Sequence, residues 1–200
     1  MHYTVDHCAI VVLAAGMSSR LGSPKQLLAY QGKSLLQHAV NMALQTTMRP
    51  VVIVVGANSD LVKKEIEGME VVVVNNLAWQ EGMASSLRCG LAAVQKMNGD
   101  ANGIIFMVCD QPYVSTSLLN DLINKQRETG KPIVASNYGE AIGPPVLFYE
   151  NIFQELLQLK GDTGARKIIQ QHGDEVAAVL FPKGRIDIDT LADYDALQKD

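Results

Sequence analysis

Two cations near the start of the chain, Arg20 and Lys25, follow an apolar run, Cys8 to Leu13, that breaks into small residues and glycines: CAIVVLAAGMSSRLGSPKQLL. Strand, pliant loop and paired cations in that order make a site for an anion, because Gly16 and Gly22 let the backbone bend and turn N–H groups toward it. Arginine offers phosphate oxygens a planar fork, and lysine offers a movable point charge. A surface loop with two solvated cations is the alternative. Far along the chain, Asp110 closes the apolar run GIIFMVC, where a carboxylate can share a hard cation with phosphate oxygens or simply cap the turn before Pro112. Asp187 and Asp189 alternate along an extended piece and so share a face, from which one can complete a metal site. Thr190 and Asp193 suit a capping arrangement instead.

The elements that must position these residues alternate. SLLQHAVNMALQT (Ser34 to Thr46) has helical apolar spacing behind a serine that can cap it, and VVIVV (Val51 to Val55) is a short β-branched strand. The rhythm repeats through helical SDLVKKEIE, strand VVVV, helical ASSLRCGLAAVQKM and strand GIIFMVCD. Beyond Asp110 it loosens. A helix is expected near Ser115 to Glu128, a strand at PIVAS, helices around Ile152 to Gln158 and Thr163 to Gln171, a strand at VAAVLF and a closing helix capped by Thr190. Continuous apolar strands alternating with amphipathic helices indicate a mostly parallel sheet covered on both faces. Ligands of such sheets bind outside the carboxyl ends of the strands, which puts the opening loop and Asp110 on one edge.

Composition excludes several classes. With 200 residues, 48% hydrophobic and 19% charged, the chain fits one folded domain, residues 1–200, with a sizeable core. A net charge of -4 leaves no basic field to collect nucleic acid or anionic lipid, so neither nucleic acid nor a membrane is expected as a partner. Asp6 and two histidines precede the apolar run where a secretion signal carries positive charge, so the run reads as a buried strand. Three cysteines, Cys8, Cys89 and Cys109, lack CxxC spacing, which argues against a disulfide framework or a zinc site and for a cytoplasmic setting. The four histidines cluster neither with each other nor with an acid.

Three phosphate-binding patterns compete for the opening loop. A dinucleotide fingerprint needs GxGxxG, and Gly16 and Gly22 lack a third glycine in register. GKS at Gly32 to Ser34 ends like a P-loop, but Leu27 stands where the first glycine belongs. The third pattern carries a resemblance: LAAGMSSRLGSPKQLL is similar to the LAAGxSxRxGxxKxL signature of nucleotidyltransferases of the molybdenum-cofactor type. NLAWQEGMASSLRCGL from Asn76, DQP from Asp110, GPPVLF from Gly143, GDTGAR from Gly161 and DIDTLADY from Asp187 follow in that family's order. The Ala-Ala-Gly turn at Ala15 resembles the cytidylyltransferase branch, whereas the guanylyl branch carries Ala-Gly-Gly.

The resemblance implies a single Rossmann-like α/β domain with a mostly parallel, three-layer αβα sheet of the nucleotide-diphospho-sugar transferase type. It implies transfer of CMP from CTP to the terminal phosphate of a molybdenum-bound pterin cofactor, with pyrophosphate released. Arg20 would face the leaving pyrophosphate and Lys25 the α-phosphate, while Asp110 and Asp189 would hold Mg²⁺, with Mn²⁺ as a substitute. Leu13, Ala14, Ala15, Gly16, Gly82, Ser85 and Ser86 would join the two cations in binding nucleotide. Gly143, Pro144, Asp162 and Arg166 would bind the acceptor, and a molybdoenzyme would be the client. Plainer readings stand beside these: Ser85 or Ser86 as a cap, GPP as a strand end, Asp162 as the N-cap of the helix from Thr163, and Trp79 as core rather than a stacking platform. Rival functions are a cytidylyltransferase for another phosphorylated metabolite and a non-catalytic accessory protein. Arg20, Lys25 and Asp110 together disfavour the second, since a carrier needs no charge balance at a leaving group.

Overall fold

A computed structural model describes residues 2–18, 23–97 and 99–199. Strand β1 (Cys8–Ala14) is buried along its whole length, as an apolar run in the middle of a covered sheet must be. A small hairpin, β2 (Ala29–Tyr30) and β3 (Lys33–Ser34), precedes α1 (Leu35–Leu44); β4 (Val51–Val55), α2 (Ser59–Glu65), β5 (Val72–Asn75), α3 (Met83–Met97) and β6 (Gly103–Val108) follow. The second half comprises α4 (Thr116–Thr129), β7 (Ile133–Asn137), β8 (Ile142–Tyr149), α5 (Phe153–Gln158), α6 (Ala165–Gln171), β9 (Val176–Leu180) and α7 (Leu191–Leu197).

Seven strands form one sheet in the order β5-β4-β1-β6-β8-β7-β9. It is parallel except for β8, which runs against both β6 and β7. Alternation along β1 feeds two cores: Ile10 and Val12 pack with Leu36 and Val40 of α1 and Leu119 and Leu122 of α4, and Val11 and Leu13 pack with Leu87 and Leu91 of α3 and Leu156 of α5. The expected three-layer αβα domain is thus present. Helix α3 lies close on the sheet because Gly90 has no Cβ; one there would come within 2.5 Å of Val11 Cγ1. Strand order reverses on either side of β1, so a crevice opens outside the carboxyl ends of β1 and β6.

Two local sequences behave differently from their simplest reading. GPPVLF does not end a strand; it makes up all of β8 but its first and last residues, inside the sheet between β6 and β7. Pro144 and Pro145 cannot donate to a ladder. They are accommodated because the pairing of β7 skips from Ala135↔Val146 to Ser136↔Gly143, leaving both prolines at an irregularity. Their carbonyls are satisfied by side chains, Ser136 Oγ donating to Pro145 O at 2.8 Å and Tyr138 Oη to Pro144 O. GKS is likewise no phosphate loop: Gln31 and Gly32 turn the hairpin with φ of 47° and 78°, and Ser34 caps α1 in a reciprocal pair with Gln37.

The three cysteines are free thiols, and burial pushes Cys8 and Cys109 up to about 12. Among the described residues no helix is long and apolar enough to cross a membrane.

Contrary to the expectation that no histidine meets an acid, His172, just after α6, sits between Glu155 of α5 and Glu175, each 2.9 Å from a ring nitrogen, because packing of α5 on α6 brings together residues 17 apart. Hydrogen bonds to Glu155 and then Glu175 hold the imidazolium and raise its pKa above the ordinary 6.5. A raised folded pKa means the stabilisation is complete below pH 6.5 and fades as pH climbs through the folded value. The stability difference between wild type and His172→Gln, measured by denaturant midpoints, should therefore be largest in acid and shrink toward alkaline pH. A pH-independent difference would remove the charge from the account.

Candidate active site

Lys25 opens a one-turn 3-10 helix, Lys25–Leu27, behind Pro24. Its backbone N–H donates to Ser18 Oγ at 2.9 Å, which closes the loop that leaves β1. Its ammonium reaches two carboxylates far away in sequence, Asp110 Oδ2 and Asp189 Oδ1, the latter at 2.9 Å. Burial opposes the ammonium's charge, but Asp110 and then Asp189 outweigh it and hold the Lys25 pKa well above the usual lysine range. Asp110 Oδ1 is buried and has no hydrogen-bond partner. Asp187 lies on the same edge; partial desolvation and then the negative charges of Asp110 and Asp189 raise its pKa.

The C-terminal segment delivers Asp189. Ile188 N donates to Asp110 O at 3.1 Å, tying the extended piece to the end of β6. Thr190 and Asp193 form the expected capping pair at the start of α7, and Asp193 also accepts from Asp189 N at 3.2 Å. Leu197 of α7 packs with Leu35 and Ile188, and Tyr194 Oη donates to Ala29 O at 2.7 Å. So α7 rests on the hairpin that follows the cation loop, and both ends of the Lys25–Asp189 pair are held by one small cluster.

A cavity of about 300 Å³ lies beside the trio. Its walls include Leu13, Ala15 and Gly16 from the end of β1, Gly82 and Ser86 at the start of α3, and Asp110. Lys25, Asp162, Trp79, Met17 and Met83 also face it. Ala14 stands behind, its carbonyl engaged by Gln26. Gly82 (φ 111°) is required by close approach, since a Cβ would lie 2.7 Å from Asp162 Cα.

Several expected residues are placed otherwise. Ser85 and Ser86 are not caps: α3 already begins at Met83, and both hydroxyls accept from buried Asn76 Nδ2, at 2.8 and 3.1 Å. Ser85 also donates to Gly82 O, so its hydroxyl serves the fold while Ser86 still lines the cavity. Asp162 does not cap α6, whose N-cap is Gly164; its carboxylate accepts from Met83 N at the head of α3, at 3.4 Å. Gly143 and Pro144 do not line the cavity, because Tyr138 and Gln111 stand between β8 and Asp110. Arg166 is exposed on α6, away from the cavity lining. Arg20 and Gly22 lie outside the described residues.

Two glutamines escaped the sequence reading. Gln26 is 1% exposed, and its Nε2 donates to Ala14 O at 3.0 Å and Gly16 O at 2.9 Å, stitching the cation loop back onto β1. Gln111 Nε2 donates to Tyr138 Oη at 3.0 Å and Gly184 O at 2.7 Å, which fastens the segment leading to Asp189. Both lie within the motifs KQLL and DQP, but an amide beside a charged candidate is not distinguished by spacing from a surface residue.

Known proteins share this arrangement of elements. A model of the MobA-like NTP transferase domain matches residues 10–176. Purine catabolism protein PucB of Bacillus subtilis (strain 168) is 28% identical over 206 residues, spanning 94% of this chain and 95% of PucB. Nicotine blue oxidoreductase of Paenarthrobacter nicotinovorans is 34% identical over 172 residues, 80% of each chain. The solved structure of Rv0371c from Mycobacterium tuberculosis H37Rv in complex with manganese is 30% identical with a TM-score of 0.77, covering 96% of this chain and 98% of that one.

Replacing Gln26 by Leu keeps the volume but strips two carbonyls of their donor. Each buried group left unpaired costs about 1–3 kcal/mol, so Gln26→Leu should lower the denaturant midpoint clearly. An unchanged midpoint would mean that the loop needs no stitch.

Proposed function

The chain belongs to the MobA-like NTP transferase family, and from that premise we propose that it transfers CMP from CTP to the terminal phosphate of a molybdenum-bound pterin cofactor, releasing pyrophosphate. The observation that carries this proposal is the meeting of Lys25 with Asp110 and Asp189, the lysine and Asp110 lining one cavity formed by the loop after β1 and the head of α3. A site that must join two anions needs charge neutralisation and alignment above all.

In the reaction an acceptor phosphate oxygen forms a bond to the α-phosphorus of CTP, and the bond from that phosphorus to the bridging β oxygen breaks. Pyrophosphate leaves with the electron pair. Lys25 can turn its ammonium to the α-phosphate, where negative charge shifts during transfer. Arg20 grips the β- and γ-phosphates with its fork. Leu13 to Gly16 form the floor under the triphosphate, and Gly82 and Ser86 approach the base and sugar. Ala15 packs tightly against Gly56, where a Cβ would meet Ala15 O at 2.7 Å; the choice of CTP rests on the likeness of the Ala-Ala-Gly turn to the cytidylyl branch. Asp162 faces the acceptor, with Arg166 at its outer edge. Gly143 and Pro144 act from behind, through Tyr138 and Gln111.

The residues fit a divalent ion. Asp110 and Asp189 converge on one positive group, and Asp110 Oδ1 is a buried carboxylate oxygen without a partner. Those two side chains would hold Mg²⁺, or Mn²⁺ as the manganese complex of the similar Rv0371c suggests. When bound, the ion offsets triphosphate charge. Three free thiols agree with a cytoplasmic setting.

Pyrophosphate release measured with CTP, GTP, ATP and UTP, with and without the molybdenum-bound pterin, tests the assignment. CTP should give the highest kcat/KM, and only with the acceptor present; faster turnover with GTP would take the chain out of the cytidylyl branch. Lys25→Ala should cut kcat by roughly a hundredfold or more with a smaller effect on CTP affinity. Arg20→Lys should raise KM for CTP as well as slow the reaction. Asp110→Asn should abolish turnover with the fold intact, and near-normal activity at low Mg²⁺ would return Asp110 to a structural role.

A further inference from the structure

Resting on the reading above, we propose that Arg88 is a positioning residue for the acceptor: with Glu81 it pins the loop 159–162 against the head of α3 and so fixes where Asp162 stands in the cavity wall. Neither Arg88 nor Glu81 lines the cavity, although Gln80, Gly82 and Met83 on either side of Glu81 do. The guanidinium takes both oxygens of the carboxylate, Nη1 donating to Glu81 Oε1 at 2.9 Å and Nη2 to Glu81 Oε2 at 2.6 Å. Nη1 also donates to Leu159 O at 2.5 Å, at the C-cap of α5. Glu81 Oε1 in turn accepts from Gly161 N at 3.4 Å. One fork thus holds the loop twice, at Leu159 directly and at Gly161 through Glu81.

Held in this way, the loop meets the first turn of α3 closely. Ala84 N donates to Gly161 O at 3.2 Å and Met83 N to the Asp162 carboxylate at 3.4 Å, while a Cβ on Gly82 would stand 2.7 Å from Asp162 Cα. The facing residues of α3 have an anchor of their own: buried Asn76 donates to the hydroxyls of Ser85 and Ser86, and Ser85 holds Gly82 O. The nucleotide wall therefore keeps its shape without Arg88, and the Asp162 wall does not. Charge alone does not account for the pair, because with side chains 27% and 37% exposed it is well screened and contributes little as an ion pair. Lys160 also places a positive charge near Glu81. What only Arg88 supplies is direction, a planar fork that grips a carboxylate and a carbonyl together, which a lysine in its place could not do.

Two readouts test the clamp in Arg88→Met, Arg88→Lys and the reversed pair Glu81→Arg with Arg88→Glu. Amide hydrogen exchange followed by NMR should quicken about tenfold at Gly161 and Ala84 in Arg88→Met, with the amides of β1 unchanged. In pyrophosphate-release kinetics the same variant should raise KM for the molybdenum-bound pterin about tenfold, while kcat and KM for CTP stay within about twofold of wild type. Arg88→Lys, which keeps the charge without the fork, should behave like Arg88→Met. The reversed pair restores opposite charges but leaves no acceptor for Gly161 N and no donor for Leu159 O, so it should not rescue either readout. The proposal is overturned if exchange at Gly161 is unchanged in Arg88→Met, if both KM values rise together, or if Arg88→Lys or the reversed pair matches wild type. Should Arg88→Met fail to fold by circular dichroism, Arg88→Lys carries the same two comparisons. Wild-type protein that does not turn over the pterin defeats the transferase assignment, and hydrogen exchange then decides by itself whether Arg88 pins the loop.

Discussion

One ammonium shared by two carboxylates organises this molecule. Lys25 lies 85 residues from Asp110 and 164 from Asp189, and each belongs to a different part of the fold. A largely covered charge cluster of this kind is tolerable only when its members are delivered accurately, since a misplaced partner leaves a desolvated charge unpaired. Much of the local architecture does that delivering. Gln26 stitches the cation loop to β1, Ile188 N–H binds the carbonyl of Asp110, and α7 leans on the hairpin that follows Lys25.

The sheet itself supplies the platform. β1 and β6 are neighbours in parallel register from Cys8↔Gly103 to Leu13↔Val108, so their carboxyl ends finish side by side. The cation loop leaves one and Asp110 leaves the other. Because β4 lies on the far side of β1, the chain departs in opposite directions around this point, and the crevice follows from topology rather than from any particular side chain. The same sheet can serve many chemistries; what marks this one as a handler of anions is the side chains at its edge.

Much of this was legible in the residues. Strands made of uninterrupted Val, Ile and Leu announced a parallel sheet with both faces covered, and helices with apolar spacing took their predicted places. The cation loop was identifiable from glycines and two cations after an apolar run, Asp110 from its place at the end of another, and Asp189 from its alternation with Asp187 and from the family resemblance. What stayed hidden involved pairing across long distances. β8 was obscured because Pro144 and Pro145 argue against a central strand, and only the skipped register of β7 makes room for them. Asp162 stood where a cap for its own helix was natural, yet its partner is an N–H of α3, 79 residues upstream. Ser85 and Ser86 offered hydroxyls to a ligand, and a buried asparagine uses both. Local chemistry allowed the expected caps, and tertiary packing gave these side chains partners far away in sequence, while Ser86 keeps its place in the cavity lining.

The region matched by the family model ends at residue 176, before the segment that carries Asp187 and Asp189. The matched region provides the crevice, the lysine and the first carboxylate, and the second carboxylate arrives on the C-terminal segment that follows it. That segment is held by, among other contacts, a backbone bond to Asp110, the amide of Gln111 on Gly184, the Lys183 ammonium over the Tyr113 ring and α7 against the hairpin. The site is therefore closed from both ends of the chain: a change that loosens α7 from the hairpin reaches Asp189 without touching a residue of the sheet.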